Sequence, residues 1–269
     1  MKKLIKKIIS LLKKILINDF FHKYLPLLGV NVGSGRSWKY FRFIGLDRLN
    51  GERLDKDSTF PFKDTSLKFV YSSHFIEHVT DDVVENFMNE SFRILKRKGV
   101  IRIITPDFEK LHNVLLQDDI NFYDDFGFKG RKEWEKYGVE NNLVNFTLHF
   151  FANYQNIEFE ESEKTDFNNP DFYRGPPKID ENLVLQKAKT CNTLDFGSWV
   201  ISHIPKEYFD FNGHINTFTF EKISQMLKNA GFVNVRRTNI AESKVSQFNY
   251  FDKNPSRENI SIYVEANKP

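Results

Sequence analysis

Four short apolar runs constrain this chain most: GVNV at 29–32, FRFIGLD at 41–47, LKFVYSS at 67–73 and VIRIITPD at 100–107. Each is too short for a core helix and too continuously apolar for a strand with one wet face. Such runs are what strands of a parallel sheet look like, because helices cover both of its faces. VTDDVVENFMNESFRILKRKG, between the third and fourth runs, repeats its apolar residues at helical spacing and is expected to stop at Gly99. A further short strand is expected near Leu54 and Asp55. After His214 the alternation resumes: INTFTFEKISQMLKNAG reads as a helix with Thr219 as N-cap and Gly231 beyond its end, and FVNVRRT and NISIYVEA read as the last strands. The order predicts an α/β fold, a mostly parallel Rossmann-like sheet.

Open α/β sheets collect ligands at the carboxyl ends of their strands. Gly33, Gly35, Asp47, Asp55, His74 and Asp107 all fall at or just past such ends. Glycines at 33 and 35 admit a ligand close to the backbone, since no Cβ stands in the way.

A chain of 269 residues, 40% of them hydrophobic, can bury one large core, so a single domain is expected over 27–269. Residues from about 117 to 204 break the alternation and are rich in Phe, Tyr, Asn and acids, which reads as an ordered substrate lid inserted after the fifth strand. Residues 1–26 stand apart. Leu4, Ile5, Ile8, Ile9, Leu11, Leu12, Ile15 and Leu16 alternate with six lysines in a basic amphipathic helix, too interrupted to span a membrane but suited to lie on an anionic one through residues 1–18. Packing on its own domain or on a partner is the alternative. The formal charge of +3, less those six lysines, leaves −3 for the body. A mildly acidic body without a long basic run excludes nucleic acid as partner. The lone Cys191 excludes an internal disulfide and fits a reducing compartment such as the cytoplasm.

SSHFIEHV at 72–79 places His74, Glu77 and His78 within five residues, the two histidines four apart. On a helix they would share a face. Three readings are open. Two imidazoles and a carboxylate suit Zn, Mn, Fe or Co better than Ca or Mg alone; a neutral histidine can take a proton from a hydroxyl; or Glu77 serves the helix start and His78 packs on the sheet. The H-x-x-E-H spacing is also that of inverted zinc proteases, but those carry it on a long helix and not after a parallel strand.

The ordered set GVNVGSG, FIGLD, RLDKDSTFPF, KFVYSSHFIEHV, SFRILKRKGVIRIITPD and GHINTFTFEKISQMLKNAGF resembles the class I S-adenosylmethionine-dependent methyltransferases, especially a bacterial subgroup found with polysaccharide biosynthesis. It covers roughly 27–112 and 212–266. A dinucleotide site would want a third glycine where Trp38 stands. The resemblance implies a sheet whose last strand is antiparallel. It implies that Asn31, Gly33, Ser34 and Gly35 surround the methionine part of the cofactor, Asn31 replacing the more usual acid. Asp47, with Arg48 beside it, would take the ribose hydroxyls, Asp55 the adenine amino group with Phe60 or Phe62 nearby, and Ser73 would face the sulfonium. Asp55 and Asp57 are alternatively plain loop acids. The gap from Gly35 to Asp47 implies a brief first helix.

SSHFIEHV is also similar to the metal-binding segment of plant small-RNA 2′-O-methyltransferases and ubiquinone-pathway O-methyltransferases, with His74 where an acid is usual. In the RNA enzymes a later histidine completes the site, and GHINTFTFE puts His214 in a similar place. The ligand set this implies is His74, Glu77, His78 and His214, with His74, His78 and His214 also the candidate catalytic groups and Mn, Zn, Fe or Mg the candidate ions. His149 in LHFF and His203 in SHIP are pocket-edge candidates; His22 and His112 read as structural. The implied function is O-methylation of a sugar or nucleotide-sugar in capsule or lipopolysaccharide assembly. A non-catalytic subunit of a glycan assembly complex, or an N-methyltransferase acting on a small amine, is the competing reading.

Overall fold

The computed structural model describes residues 26–35, 38–50, 54–123, 142–152, 179–203, 213–252 and 259–269. The basic N-terminal segment, His22 and much of the 117–204 insertion lie outside the described residues.

Six strands form one sheet: β1 (Gly29–Val32), β2 (Phe43–Leu46), β3 (Leu67–Ser73), β4 (Leu95–Pro106), β5 (Val233–Thr238) and β6 (Ser261–Asn267), in the spatial order β2-β1-β3-β4-β6-β5. The first four are parallel neighbours. β6 inserts antiparallel between β4 and β5. Consequently the carboxyl ends of β1 to β4 and the amino end of β6 share one edge of the sheet, and Ser261 pairs with Pro106 there.

Among the described residues seven helices accompany the sheet: α1 (Asp81–Ile94), α2 (Phe108–Leu116), α3 (Leu143–Ala152), α4 (Glu181–Thr190), α5 (Thr193–Ser202), α6 (Phe220–Asn229) and α7 (Ser246–Phe251). Val30, Val32, Val70, Ile101 and Ile103 join Val84, Phe87, Met88, Ile223 and Leu227 in the main core. The opposite face of the sheet is covered by α7 and an aromatic group in which Phe251 lies 5.3 Å from Trp38 and 4.6 Å from Tyr40. Among the described residues no helix is long and apolar enough to cross a membrane.

Thr219 caps α6 by accepting from the Lys222 amide, and Gly231 follows at φ +98. Two boundaries differ from expectation. The first helix ends at Ile94 and not at Gly99, because the buried Leu95 pairs with Leu67 and draws LKRKG into β4 across a bulge, with Lys98 at φ +61. Sheet pairing overrides helical periodicity there. No strand forms at Leu54 and Asp55. The Asp55 carboxylate instead accepts from the Asp57 amide (3.1 Å) and the Ser58 hydroxyl (2.8 Å), a local turn that competes with ladder formation.

The described part of the insertion is helical. α3, α4 and α5 pack against α2 and one another, with Phe151 in edge contact with both Phe108 and Phe196.

Candidate functional site: a glycine turn beside a carboxylate and two imidazoles

β1 ends in Gly33 and Gly35, both at φ +72, a left-handed conformation that favours glycine. Asp47, past the end of β2, holds this turn: its carboxylate accepts from the Gly35 amide and the Leu49 amide, each at 2.8 Å. Ser34 donates to the Gly35 carbonyl and lies against Gly45, whose missing side chain makes the room. A Cβ at Gly33 would run into the Phe75 ring. The glycine turn and SSHFIEHV are therefore in direct contact.

Other cofactor candidates are placed less as expected. Asn31 is buried in β1 between Gly45 and Tyr71. Ser73 ends β3, and Arg48 is exposed in the single turn after Asp47. The Asp55 carboxylate is turned into its own loop, and Phe60 is buried in the main core, which leaves Phe62 as the partly buried ring of the pair.

SSHFIEHV does not open a helix. His74 sits at φ +51, Ile76–His78 form one 3-10 turn, and α1 begins only at Asp81. The i, i+4 relation is thereby broken, and His74 and His78 share no helical face.

Glu77, His78 and His214 each bring a ligand atom within 4.8 Å of one another. The backbone carbonyl of Glu77 accepts from the Ile215 (2.8 Å) and Asn216 (3.2 Å) amides, so one peptide anchors the segment that carries His214. Asn216 adds side-chain bonds to the Val79 carbonyl (3.0 Å) and Asp81 (2.8 Å), and Lys222 bonds Asn216 and Asp81 in turn. The imidazoles of His78 and His214 meet edge to face at 4.8 Å.

Their tautomers follow from their partners. A carbonyl accepts only, so His78 Nδ1–H donates to the Gly213 carbonyl (3.1 Å) and His214 Nδ1–H to the Phe150 carbonyl (2.6 Å). In the neutral rings the lone pair is then on Nε2, as a ligand or a base requires. Burial first, and the neighbouring His78 second, push His214 down to about 3, so it is neutral at physiological pH. Glu77 is fully buried, which by itself would raise its carboxyl; the hydrogen bond and charge of His74, with His78 and His214 beside it, hold it down to about 2. Thr105 donates to Glu77 Oε2 at 3.0 Å.

His74 is not brought to the same point. Its Nδ1 lies 3.1 Å from Glu77 Oε1 and its Nε2 3.0 Å from Ser261 Oγ, so both ring nitrogens are engaged behind the carboxylate. His149, on α3 next to Phe150, is close enough to act on His214 electrostatically, and burial pushes it down to about 4. His203 is exposed, with Nδ1–H on the Trp199 carbonyl, away from this cluster. His112 is buried against Phe196 and bonded to Thr193 and the Ala188 carbonyl, the structural role expected of it. Asp107 caps α2 through the Lys110 amide and pairs with Arg237.

Sequence reasoning missed Thr105, Ser261 and the carbonyls of Phe150 and Gly213. Thr105 lies at the end of a strand and was open to the same argument as Ser73. The others carry no local signal, since their role depends on which distant segment docks beside them.

A buried carboxylate beside two imidazoles whose Nδ1–H groups are directed at carbonyls suits a divalent cation in charge and ligand type. Thus the donor set fits a metal, and its spare lone pairs equally fit proton transfer.

Residues 44–103, from β2 through most of β4, match the family model described as a methyltransferase domain. No curated protein matches the chain. Similar solved structures include S-adenosylmethionine-dependent methyltransferases of Thermotoga maritima (15% identity, all of both chains, TM-score 0.37), Archaeoglobus fulgidus (14%, 96% of this chain and 94% of that one, 0.39) and Mesorhizobium loti (14%, 90% and 91%, 0.37). The matched segment carries Asp47, Ser73 and SSHFIEHV, and the sheet around it has the parallel strands and the antiparallel last strand seen above. Residues 44–103 are thus similar to a methyltransferase domain, and the sheet that carries them is α/β and Rossmann-like.

Proposed function

We propose that this enzyme is an O-methyltransferase acting on a sugar or nucleotide-sugar hydroxyl in surface polysaccharide assembly, and that Glu77, His78 and His214 hold a divalent metal beside the cofactor. The observation that carries the reading is the approach of those three donors to within 4.8 Å of one another, next to the glycine turn. The sugar as acceptor rests on the likeness of the sequence motifs to polysaccharide-associated methyltransferases.

In the reaction the hydroxyl oxygen attacks the sulfonium methyl carbon. The O–C bond forms as the C–S bond breaks, sulfur keeps the electron pair, and the hydroxyl proton is released. A bound divalent ion supplies a lowered pKa for that hydroxyl. The chain supplies position. Gly33 and Gly35 open the backbone to the methionine part of the cofactor, Asp47 holds the turn that receives its ribose, and Ser73 faces the sulfonium. The Phe150 and Gly213 carbonyls keep the Nε2 lone pairs of His214 and His78 available. Because the methyl donor is already activated, alignment of oxygen with carbon contributes much of the rate.

A second reading rests on the same tautomers: His214, neutral through burial, takes the hydroxyl proton at Nε2 without a metal. Purified full-length protein assayed with labelled S-adenosylmethionine and a panel of activated sugars separates the two. Turnover lost to a chelator and restored by Mn supports the metal, whereas chelator-insensitive turnover leaves the histidine base. Cofactor binding without turnover on any acceptor supports a non-catalytic subunit. Residues 1–18 are proposed to hold the enzyme on the inner membrane from the cytoplasmic side; their deletion is expected to abolish pelleting with anionic liposomes, and retained pelleting overturns this.

A further inference from the structure

We propose that His74 is a positioning residue and not a metal ligand: Ser261, His74 and Glu77 form a relay that fixes the Glu77 carboxylate, leaving Glu77, His78 and His214 as the donor set among the described residues. This deepens the metal reading above and rests on it.

The first observation is connectivity. His74 Nδ1 lies 3.1 Å from Glu77 Oε1, and its Nε2 3.0 Å from Ser261 Oγ. A carboxylate oxygen only accepts, so Nδ1 presents its proton to Glu77 Oε1 across the ion pair whether the ring is neutral or charged, while Nε2 is taken up by the serine hydroxyl. Neither nitrogen is then left with a lone pair for a cation, in contrast to His78 and His214, whose Nδ1–H groups point at carbonyls.

A second, independent observation is the backbone. His74 adopts φ +51, a region that residues with a Cβ rarely visit, and its amide donates to the Ile104 carbonyl at 2.8 Å. β3 thus ends in a left-handed residue held by β4. Strain of this kind persists where surrounding structure enforces it, commonly at functional sites. Here it breaks the helical register that would have placed His74 over His78.

The relay also draws on the antiparallel strand. Ser261 opens β6 and pairs with Pro106, while Thr105, the preceding residue of β4, donates to Glu77 Oε2. Glu77 Oε2 is therefore held by the Thr105 hydrogen bond, and Oε1 faces His74 across an ion pair. Partners of this kind orient ligating groups, and their loss typically weakens metal affinity about 10- to 100-fold. Three protein donors leave coordination positions open, and two neighbouring hydroxyls of a sugar are the chemistry that fits them.

The test counts ligated histidines directly. Paramagnetic NMR of the full-length protein loaded with Co2+ is expected to show two strongly shifted ring N–H protons, those of His78 and His214. Three such protons overturn the proposal while leaving the metal reading intact; failure of the wild-type protein to bind Co2+ or Mn2+ at all overturns both. Mn2+ titration followed by EPR then tests the relay. His74→Ala is expected to weaken binding about 10- to 100-fold, and His74→Asn, which restores an N–H donor toward Glu77, to recover most of it. Ser261→Ala is expected to weaken binding several-fold although a serine behind the imidazole does not touch the ion; unchanged affinity in Ser261→Ala overturns the relay. The NMR count on the wild-type protein decides the matter even where a variant fails to fold.

Discussion

The backbone carbonyl of Glu77 accepts the Ile215 amide at 2.8 Å, one residue from His214. Through that bond a peptide of the sheet's edge grips the segment leading into α6, and a carboxylate and an imidazole far apart in sequence become neighbours. Asn216 reinforces the grip with bonds to Val79 and Asp81.

Asn216→Ala should therefore loosen His214 without touching it. Removing the amide leaves the partly buried Val79 carbonyl short of a partner, at a cost of about 1 kcal/mol. A lower urea midpoint with an unchanged slope, together with weaker Mn2+ binding, is the expected result. Full metal affinity in this variant would show that the Glu77 and Phe150 carbonyls suffice to hold His214.

Gly33→Ala and Gly35→Ala are expected to differ. Both sit at φ +72, so each loses roughly 1–2 kcal/mol to backbone strain. Only at Gly33 does the new methyl meet a side chain, the Phe75 ring; at Gly35 nothing lies within 4 Å. Calorimetry should find cofactor binding strongly impaired in Gly33→Ala along with lower stability. Gly35→Ala should keep more of its stability, so equal melting losses would contradict the Phe75 contact.

Arg102, fully buried, uses all its donors: Nε and one terminal nitrogen on Asp252, the other terminal nitrogen on Glu265 and Thr238, and a last bond to the Asn239 carbonyl. Arg102→Ala leaves the buried Asp252 without its cation and takes one of two from Glu265, which keeps Arg236, and is expected to cost about 3–5 kcal/mol. The denaturant midpoint measures it. Because this network lies on the face opposite the main core, cofactor affinity per folded molecule should change little.

Burial lowers the pKa of His112 from its ordinary 6.5, against a smaller opposing effect of the Ala188 carbonyl. A histidine held neutral in the fold binds its proton more readily when unfolded. Its contribution is therefore constant above the unfolded value, and stability falls as pH drops below 6.5 until the lower folded value is reached. The slope is at most about 1.4 kcal/mol per pH unit for one proton. Stability curves of wild type and His112→Gln, measured between pH 8 and 5, should converge on acidification; parallel curves would refute this role for His112.

Parallel strands, the α6 boundaries at Thr219 and Gly231, and the clustering of polar residues at strand ends were legible because each depends on near neighbours: runs of apolar residues, caps, and glycines at turns. Glu77 and His78 were legible for the same reason. The fate of His74 was not, since the H-x-x-E-H spacing reads as a helical face until a left-handed residue interrupts it. Asp55 and Phe60 likewise fit their proposed places by spacing, yet one folds onto its own loop and the other into the core.

By itself the sequence determined the α/β class, the glycine turn and the donor types at SSHFIEHV, because those follow from local chemistry and periodicity. Only the tertiary structure decided which donors meet. Docking of 213–216 on the Glu77 peptide brings His214 in, insertion of β6 beside β4 places Ser261 behind His74, and α3 contributes the Phe150 carbonyl that orients the ring. Such partners are contributed by segments far apart along the chain, and hydrogen bonds between them leave no periodic trace in the order of residues.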